Sequence, residues 1–315
     1  MRVVSADEID SVLTSEGLVD ALQEAFAGDL VAPVRHHHEI TRGAEIATLL
    51  LMPAWTGSEG GGEAHIGVKI VTVFPENATR SLPSILGSYL LMDGATGVPR
   101  AALDGARLTL WRTACASALA ARHLAREDAR VMTMVGAGAL APFLIRAHMS
   151  QRPIDEVRLW NHRSGKARDL AAALRDQGLP VTAVDDLEAA VRGSDLVSCA
   201  TLAEKPIVSG AWLREGAHLD LVGAFNLRMR EADDEALRRS RIFVDTPAAL
   251  KEGGDVALGI ASGVIGAGDV QADLHQLCRG ERAGRGSYGE ITLFKSVGAA
   301  IEDLAAAALA YRRLG

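Results

Sequence analysis

The chain has 315 residues, of which 48% are hydrophobic and 23% are charged, a composition typical of a globular protein of about two domains. The formal net charge of −7 argues against nucleic acid as a partner, because phosphate binding requires a basic surface. The first residues carry acids where a signal peptide is apolar, and no apolar run approaches the ~20 residues that span a bilayer, so we expect a cytoplasmic protein without a membrane partner.

The elements predicted for the first half form a mixed α+β domain. Residues 5–27 read as one capped amphipathic helix, with Glu8 three residues after Ser5 as in a capping box. Residues 93–97 predict a hairpin turn, and the glycines at 60–62 predict a loop. An antiparallel sheet is therefore expected. Its strands are predicted at 34–51 with a polar turn at 41–45, at 64–75, at 85–91 and at 101–104.

In the second half, strand and helix patterns alternate. A long Ala-rich helix at 109–125 leads into this region, and residues 291–311 read as a C-terminal helix that packs back on the first domain. The alternation predicts a parallel, doubly wound sheet. Its strands are predicted at 131–135, 157–160, 196–199, 218–222 and 242–244.

A Gly-rich turn, Gly136-Ala137-Gly138-Ala139-Leu140-Ala141, joins the first of these strands to a helix pattern. In this setting such a turn binds the pyrophosphate of a dinucleotide at the helix N-terminus. Gly136 permits the tight turn, Gly138 lets the backbone approach phosphate, and Ala141 keeps helix and strand close. The pattern predicts a Rossmann-type dinucleotide-binding domain.

The second strand of this domain ends in Asn161-His162-Arg163, without the carboxylate that binds the ribose 2′-hydroxyl of NAD. Arg163 can pair with a 2′-phosphate, and Lys166 lies one turn further on. We therefore expect NADP(H) as the preferred cofactor, with NAD(H) as the alternative. In the alternative interpretation, Arg163 and Lys166 are only solvent-exposed charges at the start of a helix.

Several further motifs, spread over nearly the whole chain, resemble those of the ornithine cyclodeaminase/mu-crystallin family. They are GVKIVTVFPEN (67–77), LPSILGSYLLMDGATGVPRAALDG (82–105), LTLWRTACASALAA (108–121), VGAGALA (135–141), EKPIVSGAWLREGAHLDLVGA (204–224), MREADDEAL (229–237) and LFKSVGAAIEDLA (293–305). The resemblance implies a nicotinamide cofactor and a homodimer of two-domain subunits. Residues 1–125 with 296–315 would form the α+β substrate-binding and dimerisation domain, and 126–295 the Rossmann-type domain.

The resemblance also implies site residues in both domains. Family substrate positions fall on three cations, Arg35, Lys69 and Arg112, which would hold the carboxylate of an amino or imino acid. Lys69 is in addition expected to act in catalysis as the proton source for an imine nitrogen. In the alternative interpretation, each of these cations is an ordinary surface residue without a role in substrate binding. The expected cofactor contacts are Thr113, Gly136, Gly138, Ala139, Ala141, Asn161, His162, Arg163, Ala200, Thr201, Val222 and Gly223.

The histidines and cysteines do not predict a metal site. Of His36, His37 and His38, only the first and third share a strand face, and no further ligand stands at a suitable spacing. The three cysteines are far apart in sequence and fit reduced thiols. One of them, Cys115, is interpreted as small core filling.

The family includes ornithine cyclodeaminases, alanine dehydrogenase-like enzymes and ketimine reductases. In cyclodeaminases an Asp that serves in acid/base catalysis follows Gly-Ala, whereas this chain has Phe225. Phenylalanine cannot accept a proton or pair with an ammonium group. We therefore expect NAD(P)H-dependent reduction of a cyclic ketimine, Δ1-pyrroline-2-carboxylate or its six-membered analogue. The alternatives are a cyclodeaminase in which Asp220 or Asp233 takes the missing role, an amino-acid dehydrogenase, and a binding protein without activity.

Overall fold

The computed structural model describes residues 1–42, 45–57, 63–80 and 82–315. The predicted loop at 60–62 and residues 43–44 of the predicted turn lie outside them. The chain divides into two compact units, Met1–Thr113 with Ala299–Gly315, and Ala114–Gly298. The first boundary between the two units falls inside the long helix α3 (Gly105–Leu124), whereas the sequence places it after that helix.

Near its N-terminus the first unit has two helices where the sequence predicts one. Helix α1 (Ala6–Val12) has Ser5 as its N-cap residue, and the predicted capping box with Glu8 is present. Helix α2 (Ser15–Ala27) has its own N-cap, Thr14, whose side chain accepts a hydrogen bond from the Gly17 amide. The single helix was wrong because Leu13 is extended, and a second capping residue competes with helix continuation at this point.

The described residues of the first unit form a sheet of seven strands. Its order is β1-β7-β6-β5-β4-β2, with β3 paired to β4, and every pair is antiparallel except β1 with β7. The hairpin predicted at 93–97 joins β6 and β7, and Asp93 accepts hydrogen bonds from the Ala95 and Thr96 amides. The strands are β1 (Arg2–Val4), β2 (Leu30–Val31), β3 (His36–Arg42), β4 (Glu45–Thr56), β5 (His65–Val73), β6 (Ile85–Asp93) and β7 (Pro99–Asp104).

The two faces of this sheet differ in burial. On one face Met52, Lys69 and Tyr89 stand in register and are buried, and the C-terminal helix α11 (Ala300–Leu314) packs on this side. Because residues alternate between faces, neighbouring Pro53, Val68 and Leu90 point the other way and are half-buried. The second face is therefore apolar and partly exposed.

The second unit is built on a sheet of eight strands, all parallel, in the order β10-β9-β8-β11-β12-β15-β13-β14. The predicted doubly wound fold and its five predicted strands are confirmed. The strands are β8 (Val131–Val135), β9 (Glu156–Trp160), β10 (Val181–Ala183), β11 (Leu196–Cys199), β12 (His218–Leu221), β13 (Ser240–Val244), β14 (Val270–Asp273) and β15 (Ile291–Lys295).

Seven helices of the second unit lie between these strands. They are α4 (Ala141–Gln151), α5 (Ser164–Arg175), α6 (Leu187–Arg192), α7 (Asp234–Arg239), α8 (Ala249–Glu252), α9 (Gly254–Ala261) and α10 (Leu274–Cys278). Among the described residues, no helix combines the length and the apolar character that a bilayer crossing requires.

One strand of this sheet corrects the prediction of a continuous C-terminal helix at 291–311. Residues 291–295 form β15, which inserts between β12 and β13, and helix α11 begins only at Ala300. All five residues of β15 are buried. A short apolar run buried on both faces has no alternating pattern, so periodicity cannot distinguish it from a buried helix segment.

The strand order reverses direction between β8 and β11. From β8 the chain proceeds outward through β9 and β10, and then returns to pair β11 with the opposite edge of β8. In open parallel sheets, a crevice at the carboxyl ends of the strands opens at such a switch point and binds ligands. The residues that immediately follow β8 and β11 are Gly136 and Ala200.

Candidate active site

The turn after β8 requires glycine at its first position. Gly136 has φ +113°, and a Cβ there would lie 2.6 Å from the Ala200 carbonyl oxygen. At Gly138, by contrast, a Cβ would meet no heavy atom within 4 Å. The next helix, α4, begins without a side-chain cap. Open space at Gly138 and an uncapped helix start suit a phosphate group held by backbone N–H groups.

A cavity of about 410 Å³ lies beside this turn. Asn161 links the Gly-rich turn to the segment after β9. The Oδ1 of Asn161 accepts a hydrogen bond from the Ala137 amide at 3.2 Å, and its Nδ2 donates one to the Arg163 carbonyl at 3.0 Å. Seven of the residues proposed from the sequence line the cavity: Gly136, Gly138, Asn161, His162, Arg163, Ala200 and Thr201. Others that line it are Ala137, Trp160, Lys166, Leu202, Ala203 and Ile207.

The remaining predicted cofactor residues do not line this cavity. Ala141 is buried as the first residue of α4, and Ala139 is exposed. Val222 and Gly223 follow β12 and are buried. Thr113 is the last residue of the first unit before the division in α3, and is half-buried.

The first unit contains a buried charge cluster. Lys69 on β5 and Arg112 on α3 are only 3% and 7% exposed. The Lys69 ammonium lies 2.8 Å from Asp303, and the Arg112 guanidinium lies 2.6 Å from Glu302 and 3.2 Å from Asp303. We name this group of two cations and two carboxylates the charge cluster. Glu302 and Asp303, which sequence reasoning missed, are an acidic pair at the start of the Ala-rich helix α11.

The surroundings change the proton affinity of the charge cluster. Burial, and next the neighbouring Arg112 charge, lower the pKa of Lys69 from 10.5 to about 8, against the opposing effect of Asp303. Burial and the Asp303 carboxylate raise the pKa of the adjacent Tyr89 hydroxyl. Lys69 can therefore exchange a proton near neutral pH, whereas Tyr89 stays neutral.

Arg35 lies directly before β3 and is half-buried. In the register of the sheet His36 pairs with Leu51, and Met52 pairs with Lys69. Extending the first pairing by one residue would place Arg35 opposite Met52, two strand spacings or about 10 Å from β5. Asp303 on α11 thus brings Lys69 and Arg112 together, and the sheet register places Arg35 two strands away from Lys69.

Comparison with known proteins identifies the family. The model of the ornithine cyclodeaminase/mu-crystallin family matches residues 2–315. The chain belongs to this family. The Δ1-pyrroline-2-carboxylate reductase of Paracoccus denitrificans is 40% identical over 283 residues, which cover 89% of this chain and 88% of that protein.

Solved structures agree with this assignment over the whole chain. The Δ1-pyrroline-2-carboxylate reductase of Thermococcus litoralis, in complex with NADH and L-proline, is 33% identical and superposes with a TM-score of 0.91, covering 99% of this chain and 97% of that one. An archaeal alanine dehydrogenase dimer with bound NAD is 30% identical, with a TM-score of 0.89 over 99% and 95% of the two chains. The predicted resemblance and fold class are confirmed.

Within this family the chain departs from cyclodeaminases at Phe225, which lies in the loop after β12 and is 46% exposed. The two acids considered as substitutes have structural contacts. Asp220 accepts hydrogen bonds from Ser117 and Ser198 at 2.9 and 2.6 Å. Asp233 caps α7 through the Ala236 amide. These contacts weigh against either acid as the replacement.

The remaining polar candidates from the sequence are the three adjacent histidines and Cys115. No group of three metal-binding side chains occurs within the part of the chain that the structure describes. His36 and His38 lie close, with ring centroids 6.3 Å apart. Burial raises the pKa of the Cys115 thiol well above its usual value, which disfavours a thiolate nucleophile.

We predict that Gly138→Ala weakens dinucleotide binding without unfolding the protein. The added methyl has room in the turn but occupies space that a pyrophosphate would approach, so NADH affinity should fall roughly tenfold or more. Fluorescence titration with NADH measures the affinity, and thermal unfolding measures the stability. Gly268→Ala is the control, because a Cβ at Gly268 would also meet no heavy atom within 4 Å. Unchanged affinity in Gly138→Ala would contradict the assignment of the turn.

Proposed function

We propose that this chain is an NAD(P)H-dependent reductase of a cyclic ketimine carboxylate. Its substrate is Δ1-pyrroline-2-carboxylate and/or Δ1-piperideine-2-carboxylate, and its product is L-proline or L-pipecolate. The observation that carries the proposal is the buried pair Lys69 and Arg112, in a family whose Paracoccus and Thermococcus members are named Δ1-pyrroline-2-carboxylate reductases. The open turn at Gly138 and the adjoining cavity fit a dinucleotide.

The charge cluster supplies what such a substrate needs. Arg112 offers a planar guanidinium for the substrate carboxylate, and Lys69 and Arg35 add positive charge. Glu302 and Asp303 pair with both buried cations and hold them in place, so that a substrate carboxylate can bind beside them.

The reaction requires one hydride and one proton. The turn at Gly136 and Gly138 and the adjoining cavity would hold NAD(P)H, which would supply the hydride. Lys69 gives a proton to the ring nitrogen, so that the C=N bond becomes CH–NH, and Asp303 orients the ammonium through its contacts of 3.0 and 2.8 Å. Phe225 provides no carboxylate for the deamination of ornithine, but an apolar ring suits an apolar pyrroline.

The decisive experiment is a cofactor-oxidation assay with a panel of substrates. We expect pyrroline-2-carboxylate or piperideine-2-carboxylate to be reduced faster than pyruvate with ammonia, and ornithine to release no ammonia. Faster conversion of ornithine would indicate a cyclodeaminase, and faster conversion of pyruvate an amino-acid dehydrogenase. Binding of NAD(P)H without any turnover would indicate a binding protein.

We predict that Arg112→Lys lowers kcat/KM for the imine by roughly 100-fold, because a point charge replaces the bidentate guanidinium and misplaces the reacting carbon. The Kd for NADH should not change. Steady-state kinetics and NADH titration separate the two effects. Arg122→Lys on the same helix α3 is the matched control and should behave as wild type. Similar kcat/KM values in the two variants would oppose the proposed clamp.

We predict that imine reduction slows as the pH rises through about 8. Below this pKa Lys69 is an ammonium ion that can donate a proton, and above it the neutral amine cannot. The reverse oxidation of proline should instead accelerate over the same range. A profile of kcat/KM from pH 6 to about 10 tests both directions. In Lys69→Arg, which stays charged, this transition should disappear, and its persistence would assign it to another group.

The cofactor is proposed to be NADP(H) in preference to NAD(H). Arg163 and Lys166 line the cavity, and no carboxylate ends β9 at Asn161. We predict that Arg163→Ala raises the KM for NADPH by about tenfold, through loss of a charge-assisted contact, and leaves the KM for NADH unchanged. Arg168→Ala on the same helix α5 is the control, since Arg168 pairs with Asp185. Equal effects on both cofactors would favour NAD(H).

We also propose a homodimer that covers the second face of the first sheet. Trp55 and Leu86, which point to this face, are 37% and 45% exposed. An apolar sheet face that is exposed to solvent favours association. The related archaeal alanine dehydrogenase is a dimer. Light scattering should therefore give twice the chain mass for the wild type and a smaller value for Val68→Lys. A wild-type monomer would contradict the proposal.

A further inference from the structure

Another buried carboxylate, Glu231, lies in the second unit and has no part in the reaction described above. It follows the loop after β12 and is fully buried. The sequence contains it only as part of the motif MREADDEAL, with no role assigned. A buried carboxylate must be satisfied by hydrogen bonds or by a counter-charge, so its partners indicate what it does.

Glu231 joins the loops that follow two neighbouring strands of the parallel sheet. Its Oε1 accepts from the Thr201 amide at 2.7 Å and from the Thr201 hydroxyl at 2.8 Å. Its Oε2 accepts from the amides of Gly223 and Ala224 at 2.7 and 3.3 Å. Thr201 follows β11 and Gly223 follows β12, both at the carboxyl edge where a dinucleotide crevice opens.

These loops connect directly to the dinucleotide cavity. Thr201 itself lines the cavity, as does the preceding Ala200. A Cβ at Gly223 would lie 2.1 Å from the Thr201 carbonyl oxygen, and one at Gly136 would lie 2.6 Å from that of Ala200. Backbone contact is therefore continuous from the Gly-rich turn to the loop after β12. A shift of Thr201 would move a wall of the cavity.

Two further charges lie near Glu231. The Asp255 Oδ1 on α9 accepts from the Glu231 amide at 2.8 Å, and its Oδ2 lies 3.5 Å from the Lys295 ammonium on β15. Two acids and one lysine leave one negative charge in excess. Burial raises the pKa of Glu231 to about 7, against the opposing charge of Lys295. The thiol of Cys199 on β11 also lies in the field of Glu231, and burial raises its pKa well above the usual range.

We propose that Glu231 is a positioning residue, which as a carboxylate holds the loops at Thr201 and Gly223–Ala224 in the geometry that binds the dinucleotide, and which releases them when it is protonated. A protonated carboxyl can accept from fewer of the four donors, because one oxygen then carries hydrogen. This inference rests on the dinucleotide-binding part of the proposed function. It does not depend on the ketimine chemistry.

The experiment titrates NADH into the full-length protein at pH values from about 6 to 8.5 and measures Kd from NADH fluorescence. NADH avoids the titration of a 2′-phosphate. We expect wild-type affinity to weaken as the pH falls through about 7. Affinity that is constant or stronger at low pH would overturn the proposal.

Variants then assign the effect to Glu231. Glu231→Gln places an NH2 group against one loop, so its NADH affinity at pH 8 should be roughly tenfold weaker and independent of pH. Asp255→Asn should keep wild-type affinity at pH 8 but move the transition to lower pH, because a neighbouring negative charge is removed. A wild-type profile in Glu231→Gln, or an unmoved transition in Asp255→Asn, would overturn the proposal.

A third variant covers the case in which Glu231→Gln fails to fold. Thr201→Val removes the hydroxyl that donates to Glu231, so we expect a few-fold weaker Kd and a transition at higher pH, because that hydrogen bond lowers the pKa of Glu231; a wild-type Kd would count against the role of Glu231. Because the readout is NADH binding, it separates this inference from the proposed reaction. Intact NADH binding with no imine turnover would reject the reaction alone.

Discussion

The pairing of two buried cations with two carboxylates on the C-terminal helix constrains much of the first unit. An unpaired charge removed from water costs several kcal/mol, so Lys69 and Arg112 require counter-ions that are buried with them. These are Asp303 and Glu302, more than 180 residues further along the chain. Helix α11 must therefore return to the first sheet, although a whole parallel α/β unit separates the two segments in sequence.

The same pairing gives the charge cluster its chemical character. Neutralisation by Glu302 and Asp303 allows Lys69 and Arg112 to stay buried without a ligand. Burial together with a like charge nearby lowers the pKa of Lys69 to about 8, where an ammonium ion exchanges its proton readily at neutral pH. A cluster built only of cations would hold an acid more strongly but could not remain buried alone. The proposed clamp therefore combines stability with proton exchange.

The second unit uses a buried carboxylate in a comparable way, but for backbone rather than side-chain partners. Glu231 gathers donors from two loops at the carboxyl edge of the sheet, while glycine at 136 and 223 allows those loops to approach closely. In both units, buried acids hold the groups that would contact the substrate or cofactor. The relevant interactions are charge-assisted, and burial strengthens them.

The sequence by itself determined the features whose signals are local. The Gly-rich turn, the strands before it and after it, and the hairpin at 93–97 depend on neighbouring residues, and the structure has them as predicted. The family resemblance added Lys69 and Arg112 as expected substrate positions, and the structure places both beside buried carboxylates. Local patterns misled where competing signals lay close together, as at Leu13 and Thr14, where one predicted helix is two.

Only the tertiary structure decided which residues meet. Strand β15 could not be recognised because its place between β12 and β13, and its burial on both faces, depend on elements that are remote in the chain. Glu302, Asp303 and Glu231 looked like ordinary acids until folding placed them beside cations or loop amides. The physical reason is common to all of these cases. Burial and charge pairing are set by the surrounding elements, and a linear pattern does not contain that information.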